Sequence, residues 1–250
     1  MSKVLYTLLI LCFCITASAT VQDDVAAANN AYRNADYHKA IHLYNGVLKD
    51  NISAEVYYNL GNAYYRTDNI AKALLYYEKA AKMYPMNKDI QHNIEIAQGK
   101  TIDKLPLDTS MFFVKWYRNL QSWQTVNGWA YIATVSLIMA LLLFLGYLFM
   151  NNIQIRRIAF YLSALLLIMF VFSNVFAWQR YNTINEHDAA IVMKGAAMIK
   201  TSPTAKATNA CVVHEGTKVR ITDNDIKGWY GIQLSDGREG WIQQKDVEDI

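Results

Sequence analysis

Three things are scarce in this sequence: cysteine, proline and, across two long stretches, charge. The three cysteines, Cys12, Cys14 and Cys211, are too few for a disulfide framework. Two of them lie in the apolar stretch Val4–Ile15, which follows Lys3 and precedes Ala17-Ser18-Ala19. A basic start, a short apolar core and an A-x-A site are the pattern of a secretory signal. Residues 1–19 are therefore expected to be a signal peptide cleaved after Ala19, the competing reading being an uncleaved anchor. Cleavage leaves Cys211 alone, beside Val212 and Val213 in a packed strand, as in an exported domain that folds without crosslinks. The three prolines each mark an ending or a turn: Pro85 after a helix, Pro106 after the first soluble part, Pro203 in a turn.

Concentrated basic charge is also lacking. Residues 20–104 carry ten basic and ten acidic side chains, and residues 187–250 carry eight and nine. Nucleic-acid binding needs a basic footprint, so that class is excluded. The chain shows no nucleophile–base pair, metal-spaced cluster or phosphate loop. His38 and His42 are four apart, but Lys39-Ala40-Ile41 between them supplies no acidic base, and both read as solvated outer surface. Asp223-Asn224-Asp225 is too sparse for a calcium loop and reads as a polar turn. No enzyme activity, catalytic residue, metal or cofactor is expected.

What the chain has instead is apolar length. Trp129–Met150 and Ile158–Trp178 hold no charged residue, and only residues 151–157 separate them. A bilayer core about 30 Å thick needs about 20 residues of helix, so the runs are expected to form a transmembrane hairpin. With no Asp, Glu, Lys, Arg or His inside either run, a pump or channel is excluded. Arg156 and Arg157 in the loop, together with the export signal, place residues 151–157 in the cytoplasm and both soluble parts outside it. Before the first run, Phe112, Trp116, Leu120 and Trp123 share a helical face, with Lys115, Arg118, Asn119 and Ser122 elsewhere. Residues 105–128 thus read either as an amphipathic helix in the membrane interface, the favoured reading, or as a helix packed on the preceding domain. Trp129, Tyr131, Trp178 and Tyr181 read as belt residues.

The first soluble part, residues 20–104, contains a repeat. Counted from Ala54, the stretch to Asn87 has Tyr57 at position 4, Leu60 at 7, Gly61 at 8, Tyr64 at 11, Ala73 at 20, Tyr77 at 24, Ala80 at 27 and Pro85 at 32. Small Gly61 and Ala73 suit a helix crossing, and the tyrosines and Leu60 fill the wedge beside it. The pattern resembles a tetratricopeptide (TPR) repeat. An earlier copy, Val21–Ser53, matches in its second helix through Ala40 and Tyr44. Lys88–Lys104 reads as a capping helix, with Ile90, Ile94 and Ala97 inward. The resemblance implies a helical solenoid whose groove is lined by Asn29, Glu55, Tyr58, Asn62, Tyr65 and His92, with protein or peptide ligands. Asn59 matches the asparagine of the family's carboxylate clamp, but Val25, Asp89 and Asn93 stand where that clamp has basic residues.

After Asn185 the pattern becomes short alternating runs. Strands are expected at Ala189–Met193, Ala196–Lys200, Asn209–His214, Lys218–Asp223, Trp229–Leu234 and Glu239–Gln243, in a small barrel. Ile199–Pro203, Glu215–Val219, Gly228-Trp229-Tyr230 and Gly240-Trp241-Ile242 together resemble a bacterial SH3 (SH3b) domain over residues 187–250. That resemblance implies a ligand surface of Trp229, Tyr230 and Trp241, for peptides or cell-wall fragments.

Taken in order, these parts describe a multi-domain membrane protein: an α-helical TPR solenoid, a two-helix transmembrane hairpin and a small all-β SH3-like barrel. The arrangement resembles the BatE proteins of Bacteroidota aerotolerance operons. The resemblance implies a non-enzymatic scaffold in the bacterial inner membrane with both modules in the periplasm. It also implies von Willebrand-type membrane proteins as partners and a role in aerotolerance or envelope stress. A peptidoglycan sensor or tether is the alternative.

Overall fold

The computed structural model describes residues 22–104 and 112–250. The expected signal peptide, with Cys12 and Cys14, and the segment around Pro106 lie outside the described residues. The chain forms two compact units, one joining the N-terminal part to His187–Ile250, the other Thr109–Glu186.

The first unit begins with helices α1 (residues 22–33), α2 (Tyr37–Asp50), α3 (Ala54–Arg66), α4 (Ile70–Met83) and α5 (Lys88–Gly99). The repeat is visible in its smallest parts. Asp36 caps α2 by accepting from the Lys39 amide at 3.2 Å, and Asn69 caps α4 from Lys72 at 3.1 Å. The residue before each cap is left-handed, Ala35 at φ 60° and Asp68 at φ 59°. In both turns the cap's N–H reaches back five residues, Asp36 to Ala31 and Asn69 to Tyr64, which satisfies a carbonyl orphaned by the helix end. Gly61 is needed where α3 meets α4, because a Cβ there would lie 2.5 Å from Cδ1 of Tyr77. Leu60, Ala73 and Tyr77 are buried, and Tyr57 and Tyr64 are half-buried against Tyr76. Ile90, Ile94 and Ala97 of α5 close the apolar face.

The C-terminal part is an antiparallel sheet of β1 (Ala189–Val192), β2 (Ala196–Lys200), β3 (Asn209–His214), β4 (Lys218–Asp223), β5 (Trp229–Gln233), β6 (Glu239–Gln243) and β7 (Val247–Asp249). The strand order is β3-β2-β6-β5-β4-β1-β7. This corrects two expectations. There are seven strands where six were read, since the acidic run around Val247 hides a strand whose valine is buried. The sheet is also not closed into a barrel, because β3 and β7 are its two edges. Its inward residues, among them Ile199, Val213, Val219, Tyr230, Ile232 and Ile242, form one core.

The sheet packs on α4 of the solenoid. Leu75, Ile191 and Ile250 form a buried cluster, and Gly216 (φ 83°) abuts Leu74 and Thr101. Lys72 pairs with Glu248, and Lys218 with Glu78 at 2.7 Å. Burying a leucine or isoleucine is worth about 1.5–3 kcal/mol, whereas partly exposed ion pairs contribute up to about 1 kcal/mol. The apolar contact therefore contributes more than the charges to holding the sheet. A third attachment is Asp103, just beyond α5. Its carboxylate accepts from the His214 amide at 2.7 Å and the Thr217 hydroxyl at 2.7 Å, and lies 3.0 Å from the His214 ring.

The second unit contains α6 (Phe112–Ser122), α7 (Val126–Phe149) and α8 (Ile153–Asn185). At about 1.5 Å per residue, the 24 residues of α7 run about 36 Å and the 33 of α8 about 50 Å. Both are long and apolar enough to cross a membrane. They pack through small residues, Ala133, Ser136 and Ala140 against Ala159, Ser163 and Ser173, all buried. Small side chains let helix backbones approach closely, and the Ser163 hydroxyl donates across the seam to the Ala140 carbonyl at 3.0 Å. The expected loop 151–157 is shorter than read. Asn152 caps α8 through the Gln154 and Ile155 amides, so Arg156 and Arg157 are already helical.

Candidate interaction groove

The solenoid has two layers. Helices α2 and α4 form one, and α4 carries the sheet. Helices α1, α3 and α5 form the other, and the groove residues stand on it. Two equivalent polar knots tie this layer together. In the first, the Asn29 side-chain oxygen accepts from the Tyr44 hydroxyl at 2.6 Å and from the Asn59 amide at 3.3 Å. In the second, the Asn62 oxygen accepts from the Tyr77 hydroxyl at 2.8 Å and the Asn93 amide at 2.9 Å. Asn29 and Asn62 are 33 apart, as are Tyr44 and Tyr77. Each asparagine joins its own repeat's second helix to the next repeat's first. Burial pushes the Tyr44 hydroxyl up to about 12, and the nearby Tyr32 and Glu55 add to the shift. Burial likewise pushes Tyr77 up, reinforced by Tyr58. Both phenols stay protonated and act as fixed donors.

The structure thus brings Asn29, Asn59, Asn62 and Tyr58 together, and Asn93 with them. The Tyr58 ring lies 6.0 Å from Tyr77, and its hydroxyl accepts from the Asn93 amide at 3.0 Å. Tyr65 is half-buried, with the Lys100 ammonium 4.4 Å over its ring. Glu55 and His92 are exposed. Each knot spends the asparagine oxygen internally, while the amide N–H groups of Asn29 and Asn62 take no part in it among the described residues. The floor is therefore neutral and rich in amides, flanked by tyrosine. It suits the amide groups of a polypeptide better than a carboxylate. Sequence reasoning placed Asn93 at a clamp position only as the lack of a basic residue, and did not read it as a polar member of this floor. The signal was present, because Asn59 and Asn93 occupy the same position in successive copies.

On the sheet, Trp229 and Trp241 are half-buried. Trp229 borders an open pocket of about 460 Å³ with Gly228, Gln243, Gln244 and Lys245. Tyr230, read as a surface ligand contact, is buried in the sheet core. Its hydroxyl accepts from the Gln244 amide at 2.8 Å and lies 3.1 Å from the Asp249 carboxylate. Alternation explains the correction: Tyr230 shares its face with Ile232, and Trp229 takes the other.

Residues 25–87 match a tetratricopeptide repeat family model. The match takes in α2, α3 and α4 and the last nine residues of α1, about a quarter of the chain. No curated protein matches the chain. TPR repeats point to protein–protein interaction, and here they frame the groove on the α1/α3/α5 layer.

Proposed function

We propose that the protein is a non-enzymatic, membrane-anchored scaffold that holds a protein partner in its TPR groove. The observation that carries this reading is the paired Tyr–Asn–Asn floor, which rigidifies the groove and leaves Glu55, His92 and the edges of Tyr58 and Tyr65 for a ligand. The charge-free runs 129–150 and 158–178, carried by α7 and α8, support anchoring, in the bacterial inner membrane with the soluble parts in the periplasm. The resemblance to BatE proteins supports a place in an aerotolerance or envelope-stress complex beside von Willebrand-type membrane proteins. The resemblance to SH3b domains supports a second binding surface at Trp229 and Trp241.

The test is a crosslinked pull-down from membranes with the full chain and with a Glu55→Arg, His92→Asp variant. Both positions are exposed, so the fold is retained. Loss of the co-purifying protein in the variant is expected, and unchanged recovery contradicts the groove. A second reading, a peptidoglycan tether, is favoured by the half-buried Trp229 beside its open pocket. Sedimentation with purified peptidoglycan, abolished by Trp229→Ala, would establish it.

A further inference from the structure

Helix α6 has three faces, and the structure assigns two of them. At roughly 100° per residue, Tyr117 and Gln121 fall on one face, and that face is pinned. The Tyr117 hydroxyl donates to Gln179 Oε1 at 2.7 Å, and its ring meets Phe176 edge-on at 6.1 Å. The Trp129 indole N–H donates to the Gln121 carbonyl at 2.9 Å, and its ring lies 5.0 Å from Phe176. A second face carries Phe112, Trp116, Leu120 and Trp123, with Phe112 81% exposed and Trp116 61%. Arg118 and Ser122 fall on the third.

Trp123 meets Trp129 edge-on at 6.2 Å, but the exposure of Phe112, Trp116 and Leu120 on a helix docked by its other side is not explained by internal packing. It is continuous with the exposed apolar surface of α7 and α8, where Tyr131, Phe172 and Trp178 are also exposed. The residues that pin α6, Trp129 and Phe176–Gln179, lie at the ends of the two charge-free runs. Measured from that level, Trp129 to Met150 and Trp178 to Ile158 span about 32 Å and about 30 Å at the helical rise, which matches a hydrocarbon core about 30 Å thick.

We propose that α6 is a depth collar, a helix held in the plane of the bilayer surface at the level of Trp129 and Trp178. Its Phe112–Trp116–Leu120–Trp123 face rests in the boundary between headgroups and acyl chains of one leaflet. The occupant of this face is a lipid surface. The proposal rests on the reading of α7 and α8 as membrane spans. Because the collar is tied to the hairpin, it fixes where the bilayer surface falls. The end of α8 from Arg180 to Asn185 then stands in the headgroup layer and beyond.

The test uses the full chain with its cysteines replaced by serine, reconstituted in phosphatidylcholine–phosphatidylglycerol vesicles. One nitroxide is placed in turn through Trp116→Cys, Leu120→Cys, Ser122→Cys, Phe144→Cys and Ile168→Cys. Oxygen and a water-soluble nickel chelate compete as relaxants. Labels at 144 and 168 should show high oxygen and negligible nickel access. Those at 116 and 120 should show an oxygen-to-nickel ratio several-fold above that at 122. Equal, water-like ratios at 116, 120 and 122, with 144 and 168 still shielded, overturn the collar and leave the spans standing. Nickel access at 144 and 168 overturns the spans themselves. Trp116 and Leu120 are both exposed, so agreement between their two variants guards against a local folding defect.

Discussion

Two glycine-to-alanine substitutions in adjacent TPR helices should move stability in opposite directions. Alanine is favoured over glycine inside a helix by about 0.8–1 kcal/mol. At Gly46 in α2 a new Cβ meets nothing within 4 Å, so Gly46→Ala should stabilise the solenoid by about 0.5–1 kcal/mol. At Gly61 in α3 the same Cβ would sit 2.5 Å and 2.7 Å from two ring carbons of Tyr77. That ring cannot move away easily, because it is fully buried and its hydroxyl is held by Asn62 at 2.8 Å. Overpacking costs about 1–3 kcal/mol, and a strained Tyr77–Asn62 bond adds about 1 kcal/mol. After the propensity gain, Gly61→Ala should be destabilising by about 1–3 kcal/mol. For a chain of this size that lowers Tm by roughly 2–12 °C. Thermal and urea unfolding of the detergent-solubilised chain, followed by circular dichroism, reads both variants. If Gly61→Ala is as stabilising as Gly46→Ala, the close crossing of α3 and α4 is wrong, and the groove built on it is wrong too.

Other expectations follow from the same contacts. Asn62→Ala leaves the Tyr77 hydroxyl without its acceptor and should cost about 1–3 kcal/mol, with faster hydrogen exchange spreading into α5. Leu75→Ala should cost about 2–4 kcal/mol and loosen the sheet from α4, whereas Glu248→Ala should cost under about 1 kcal/mol; protease sensitivity of residues 187–250 separates the two. Burial raises the Asp103 carboxyl, but the His214 amide, the Thr217 hydroxyl and the His214 ring together outweigh it and hold the group below the usual carboxylate range. A depressed folded value means this stabilisation is present above the ordinary carboxylate pKa and lost as pH falls through the folded one. Asp103→Asn should therefore flatten the acid limb of the unfolding profile, and an unchanged limb would remove Asp103 from the attachment. The difference between ultraviolet alkaline titrations of the parent chain and of Tyr44→Phe should show Tyr44 ionising late, its phenol pushed up to about 12 by burial.

The elements were more legible in the sequence than their associations. Gly61, Ala73 and Pro85 are typed by a local helix crossing and a helix end, so the repeat could be read within one window. Four strands, including Lys218–Asp223, fall at the expected residues, because alternation is also local. The seventh strand escaped because its three residues, Val247, Glu248 and Asp249, are too few and too acidic to show an apolar alternation, although Glu248 faces Lys72 across the junction. The docking of the sheet on α4 was not legible. Leu75 looks like any solenoid core residue, and the Asp103–His214 contact joins residues 111 positions apart. Among the expected groove residues, Asn29 bonds Tyr44 and Asn59, and Asn62 bonds Tyr77 and Asn93, contacts between helices that no single window of sequence displays. Tyr230 was misplaced because its aromatic type was weighed above its shared phase with Ile232.

The central claim, that the α1/α3/α5 face receives a protein partner at a membrane, is tested most directly by site-specific photo-crosslinking in intact membranes. A photoreactive residue at Glu55 or His92 should give a discrete protein adduct, while the same probe at His38 or His42 on α2 should give none. Adducts of equal yield from α2, or none from Glu55 and His92, would contradict the account.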